Sequence, residues 1–136
     1  MRQARGQALM ETAIVLPVMV ILMLGFLAIL IRIEAQVELE TATSLAAAAA
    51  VAAPANSSQS RGDALDTWQG TLHQYAYLRP GTLSAGCGPY QPGQTVVCRG
   101  TATLDYGQTP MGLIVPGAPI EISASAAARG SPYRST

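Results

Sequence analysis

The hydrophobic and polar positions of the chain fall into distinct patterns, taken in order. From Ala13 to Ile31, nineteen consecutive residues carry no charge. As a helix rising about 1.5 Å per residue, they extend roughly 28 Å, close to the hydrocarbon thickness of a bilayer. From Arg32 to Ala53 there is no glycine or proline. Within that stretch Ile33, Val37, Ser44, Ala48 and Val51 recur near helical spacing, with Ala42, Leu45, Ala46 and Ala49 beside them. Alanine is the best helix former, so the run Ala46–Ala50 makes a thin, smooth helix surface. One helix is predicted from about Leu9 to Ala53, ending at Pro54 and the linker Asn56-Ser57-Ser58. Its inner half suits lipid. Its outer half is amphipathic and needs a cover, either this chain's own domain or other helices, which small residues let approach closely.

A second helix is predicted over 61–78. Asp63 is a candidate cap, and Leu65, Trp68, Leu72 and Tyr75 form one stripe at steps of three and four. Trp68, the single tryptophan, reads as a core anchor, because the helix is not basic enough for a strong membrane-surface binder. Pro80-Gly81 reads as a break. Gly86–Gly93 is turn-rich. Thr95–Tyr106 alternates, with Val96, Cys98, Gly100, Ala102 and Leu104 on one side, which predicts a strand. Gly107–Pro119 is a loop with three prolines and an apolar patch from Met111 to Val115. Ile120–Ala128 alternates again, and the end from Ala127 through Arg129 to Pro132 reads as frayed. The expected fold class is α+β: a long N-terminal membrane-spanning helix continuing into a small external domain (54–136), with a second helix over one face of an antiparallel β-hairpin.

The chemistry adds little that is catalytic. The chain has 136 residues, enough for an anchor and one small domain. The formal net charge is zero and every basic residue is arginine. Without the first six residues, six arginines face eight acids, which argues against a nucleic-acid surface. The two cysteines, Cys87 and Cys98, fall in the part placed outside, where they are expected to form a disulfide. A zinc site needs more ligands than the lone His73 supplies, and no Cys-x-x-Cys is present. No nucleophile–base pair, phosphate loop or tuned acid pair stands out, so neither enzyme activity nor a cofactor is expected. Asn56-Ser57-Ser58 matches a glycosylation sequon, a weak pattern here read as linker.

Arg2 and Arg5 precede the apolar run, and Glu11 stands at its near edge. A basic leader before an apolar stretch marks a secretory signal or an anchor. The run exceeds a removable signal core, and candidate A-x-A sites lie only beyond Arg32–Glu40. Retention is therefore expected. It makes a single-pass protein of the cytoplasmic membrane, with a cytoplasmic N-terminus and the C-terminal domain outside. Glu11 is what a plain anchor does not need. A carboxylate costs about 2.5–3.5 kcal/mol at mid-membrane, and less near the interface. Pro17 removes a helix hydrogen bond inside the span and invites a kink.

Gly6-Gln7-Ala8-Leu9-Met10-Glu11, followed by an apolar helix, resembles the type IV prepilin cleavage motif. The fuller wording, Arg-Gly-Gln-Ala-Leu-Met-Glu-Thr-Ala-Ile-Val-Leu-Pro, with Pro17 and Gly25 in the helix, is similar to the TadE-like (TadE/TadG) pseudopilins of the tight-adherence, or Flp, pilus system. The closing Ile-Ser-Ala-Ser-Ala-Ala-Ala-Arg also looks like the end of such domains. Many members carry an aromatic where this chain has Thr12. The resemblance implies a prepilin leader of residues 1–6, cleavage between Gly6 and Gln7, and a mature helix over 7–53. It implies pairing of Glu11 with the new terminal amine of a neighbouring subunit. The implied partners are a prepilin peptidase, other pilin or pseudopilin subunits, the membrane assembly platform and lipid. The implied role is that of a minor subunit supporting pilus assembly, adhesion or secretion, reaching the extracellular fibre after assembly. The alternative is a signal-anchored exported binding domain that never assembles.

Overall fold

The computed structural model describes residues 2–54, 57–113, 117 and 119–131, and among these the side chains of all but 2–9, 110 and 113. The chain divides into two units, Met1–Ile33 and Glu34–Thr136. The first helix, α1, is assigned continuously over Arg2–Ala52 and passes through Pro17. In the first unit its described side chains are almost all exposed. Ile14, Ile21, Met23 and Phe26 each leave more than three-fifths of their surface uncovered. In an apolar solvent a helix satisfies its backbone polar groups within itself. By length and composition α1 is long enough to cross a membrane.

The second unit is α+β. Strand β1 (Leu78–Leu83), strand β2 (Thr95–Leu104) and strand β3 (Ile120–Arg129) form one antiparallel sheet in the order β1-β2-β3. The β2–β3 ladder is unbroken over ten pairs, from Thr95↔Arg129 to Leu104↔Ile120. Alternation set that register: Val96, Cys98, Gly100, Ala102 and Leu104 are buried, and Ile122 and Ala124 lie buried on the same face. The hairpin predicted from the two alternating runs is present and has a third strand beside it. Strand β1 was hidden because it contains Pro80-Gly81, read as a helix break. A proline fits a strand at a sheet edge, and β1 is an edge strand whose register shifts between Pro80 and Leu83.

Helix α2 spans Ser58–Leu72, against the predicted 61–78. Ser57, not Asp63, is its cap, with the Ser57 hydroxyl accepting from the Ser60 N–H at 3.4 Å. The helix stops at Leu72 because the following residues turn toward β1: the Tyr75 N–H donates to the Leu72 carbonyl, and the Leu78 N–H to the Tyr75 carbonyl. Its buried stripe is Ser60, Ala64, Trp68 and Leu72; Leu65 is half-buried and Tyr75 lies outside the helix. Trp68 is fully buried, as a core anchor should be.

From Ala35 to Ala53, the buried face of α1 is Ala35, Leu39, Ala42, Thr43, Ala46, Ala47 and Ala50. The bulkier Ile33, Val37 and Leu45, part of the stripe read from the sequence, stand exposed. Packing distance explains the choice. Thr43 of α1 and Trp68 of α2 both converge on Gly100 of β2, so both helices cover the same sheet face at close range. Only small side chains fit there. Leu39, Leu72 and Leu104 fill the remaining volume, each contributing about 1.5–3 kcal/mol by leaving water.

The segment between β1 and β2 is fastened at three points. Cys87 and Cys98 are joined by a disulfide, both sulfurs buried. Gly88 has φ of 102°, and a Cβ there would stand 2.8 Å from the Ser60 hydroxyl, so the loop lies directly on the start of α2. Tyr90 is buried against Gly130, just beyond β3. The region predicted to fray is thus strand through Arg129 and packed at Gly130. Between β2 and β3, Asp105 accepts from the Gly107 N–H and starts the 3-10 turn Tyr106–Gln108, and a second 3-10 turn, Pro110–Leu113, follows. Ile114, Val115 and Asn56 lie outside the described residues.

Candidate functional site

The residues singled out for processing and assembly lie on α1. Gly6 and Gln7 are helical in backbone, and their surroundings lie outside the described side chains. Glu11 is exposed and has no ion-pair partner among the described residues. It shares one side of the helix with Val15, Leu16 and Met19. A carboxylate on an otherwise apolar, unpacked rod is an electrostatic liability in lipid, and a neighbouring cation removes it.

In the second unit, α1 also keeps an uncovered face. Val37 and Leu45 are 52% and 45% exposed, with Thr41, Ser44 and Ala48 exposed between them. The hydroxyls of Thr41 and Ser44 donate back to the carbonyls of Val37 and Thr41, at 2.9 and 2.8 Å, which leaves this face smooth and locally satisfied. Beside it, Gln36 donates to Glu40 at 3.2 Å and to the Ser123 carbonyl of β3 at 3.0 Å.

A second cluster had no signal in the sequence, because its members are some forty residues apart. Glu34 and Glu38 of α1 face Tyr75 and Tyr77 of the turn between α2 and β1. The two rings tilt at 56° with centroids 5.9 Å apart. Tyr75 titrates above the ordinary tyrosine value, first because Glu38 accepts from its hydroxyl, then through desolvation and the charges of Glu38 and Glu34. The Tyr77 hydroxyl is buried without a hydrogen-bond partner at ordinary distance among the described residues. Burial first, and the charges of Glu34 and Glu38 second, push its pKa up to about 12.

Nearby, Arg79 donates to Asp105 at 2.7 Å across β1 and β2, an exposed pair of small energetic value. His73 is exposed. Among the described residues no three His, Cys, Asp or Glu side chains gather as a metal site would require.

The chain matches no protein-family model, no curated protein and no solved structure.

Proposed function

We propose that this chain is a minor pilin-like subunit, made as a membrane-anchored precursor and processed by a prepilin peptidase between Gly6 and Gln7. The observation that carries the reading is the single carboxylate, Glu11, at the entrance of an apolar helix with no covering of its own. Cutting five residues before that glutamate creates an ammonium group on Gln7. In an assembly, the Glu11 of one subunit meets that group on a neighbour. The pair neutralises a charge that lipid or a helix bundle penalises, and so it selects register more than it adds stability. The helix leaves the bilayer for a bundle of like helices, where contacts between helices replace contacts with acyl chains. The uncovered face of Val37, Thr41, Ser44, Leu45 and Ala48 continues that packing beyond the membrane. The α+β domain then decorates or caps a fibre of the tight-adherence kind.

The test is the pair Gly6→Phe and Glu11→Ala, expressed with the cell's own assembly machinery. Gly6→Phe blocks processing and leaves a precursor in the membrane. Glu11→Ala is processed and inserts normally, yet its in-membrane crosslinks to other subunits fall at least tenfold. Undiminished crosslinking of Glu11→Ala contradicts the charge pairing. Crosslinks found only within single chains, in the native protein too, favour a non-assembling anchored domain.

A further inference from the structure

The two edges of the sheet are built differently. Strand β1 is blunted: Pro80 lies within it, and its register shifts between Pro80 and Leu83. Strand β3, at the other edge, has no proline and pairs with β2 in one continuous register from Ile120 to Arg129. The free side of β3 carries the backbone groups of its odd-numbered residues. The Arg99 carbonyl accepts from the Ser84 N–H on the β1 side, so Ser125, opposite Arg99, turns its own N–H and carbonyl away from β2. The Ser123 carbonyl agrees, since it accepts from Gln36 of α1 at 3.0 Å. The side chains of Glu121, Ser123, Ser125, Ala127 and Arg129 are all exposed, on the face opposite buried Ile122 and Ala124.

Glu121 and Arg129 are the only charges in β3, and they stand four residues to either side of Ser125. A second β3 laid antiparallel on this edge, with Ser125 opposite Ser125, places Glu121 of each copy opposite Arg129 of the other. Ser123 then faces Ala127, and each of these positions is a hydrogen-bonded pair. Opposite charges facing across strands stabilise such a pairing. A shift of two residues in either direction separates them. The groups already engaged at this edge do not bar it. The Ser123 carbonyl has two lone pairs, so Gln36 and a backbone N–H can share it. Arg129 donates to the Gly93 carbonyl at 3.3 Å through Nε, which does not use its terminal nitrogens. We propose that the free edge of β3 pairs with the same edge of a second copy of this chain, antiparallel and centred on Ser125, joining two three-stranded sheets into one. The inference uses the second unit alone and stands apart from the cleavage and the Glu11 pairing proposed above.

The test introduces Ser123→Cys, Ser125→Cys or Ala127→Cys singly into the full chain, in dodecyl maltoside micelles, under mild copper–phenanthroline oxidation. The native Cys87–Cys98 disulfide is buried and takes no part. In the paired strands the two Cα atoms at 125 lie about 5.5 Å apart, within disulfide reach, while two at 123 or two at 127 lie about 14 Å apart. Ser125→Cys should therefore give at least fivefold more linked dimer than either other variant. Adding Glu121→Arg or Arg129→Glu should lower that dimer at least threefold, and both reversals together should restore it. Restoration by the pair separates lost pairing from lost folding. No dimer at 125, or equal dimer at all three positions, overturns the self-pairing. Dimer indifferent to the charge reversals overturns the role given to Glu121 and Arg129. In the native membrane, linkage of 125 to a different protein in place of dimer assigns the edge to another strand and overturns the proposal.

Discussion

Gly100 lies directly against the indole of Trp68: a Cβ on the glycine would come within 2.8 Å of Nε1. The Thr43 hydroxyl, itself donating to the Leu39 carbonyl at 2.7 Å, would be met at 3.0 Å. The position holds both helices close to the sheet. Gly100→Ala should therefore destabilise the domain by about 1–3 kcal/mol through overpacking. Guanidinium unfolding of the full chain in micelles, followed by the fluorescence of its single tryptophan, measures this. An unchanged midpoint contradicts the close packing.

The disulfide ties the loop before β2 to β2 itself, with Cα atoms 4.5 Å apart. Replacing both Cys87 and Cys98 by serine should cost about 2–3 kcal/mol, since the closed loop is short. Because both sulfurs are buried, reductant should change gel mobility only after denaturant is added. Rapid reduction of the native protein would place the bond at the surface instead.

Ser60 is buried and donates to the Ala50 carbonyl at 2.7 Å, joining the end of α1 to the start of α2. Ser60→Ala leaves that carbonyl without its partner and should cost about 1–3 kcal/mol. Ser57→Ala, which removes the half-buried cap and the 2.7 Å hydrogen bond its hydroxyl donates to the Pro54 carbonyl, should cost about 1 kcal/mol. The same unfolding measurement ranks them, and a larger loss at Ser57 contradicts the assignment.

Tyr77 ties stability to alkaline pH. Its folded pKa, about 12, lies above the ordinary tyrosine value of 10.0, so the folded state holds its proton more tightly. The contribution is fully present below pH 10, and is lost as pH rises through 12. Thermal unfolding should show the midpoint falling over that window in the native chain, and falling less in Tyr77→Phe. Equal slopes contradict the burial of the hydroxyl.

What could be read from the residues alone followed from how strongly each pattern depends on local chemistry. The β2 and β3 runs alternate because one face meets helices and the other water, and both strands appeared close to their predicted bounds. Strand β1 carries too few alternating positions around Pro80-Gly81 to announce itself, and its pairing to Leu104 and Thr103 is a long-range choice. On α1, Ile33, Val37 and Leu45 are more hydrophobic than the alanines, so they suggested the buried face. The observed face is chosen by the distance to Gly100 and Trp68, which no local window contains. The same holds for Glu34 and Glu38 meeting Tyr75 and Tyr77. The pattern at Gly6, Gln7 and Glu11, by contrast, is wholly local, and the processing it implies stands as a proposal.

The central claim is that a peptidase exposes the amine of Gln7 and thereby supplies the cation for Glu11. Intact-mass and N-terminal peptide mass spectrometry of the protein from its native membrane tests it most directly. The account predicts a chain that has lost Met1–Gly6 and begins at Gln7, with the full-length form accumulating when the prepilin peptidase is deleted. A chain beginning at Met1 in both strains, or one beginning beyond Ile31, contradicts it.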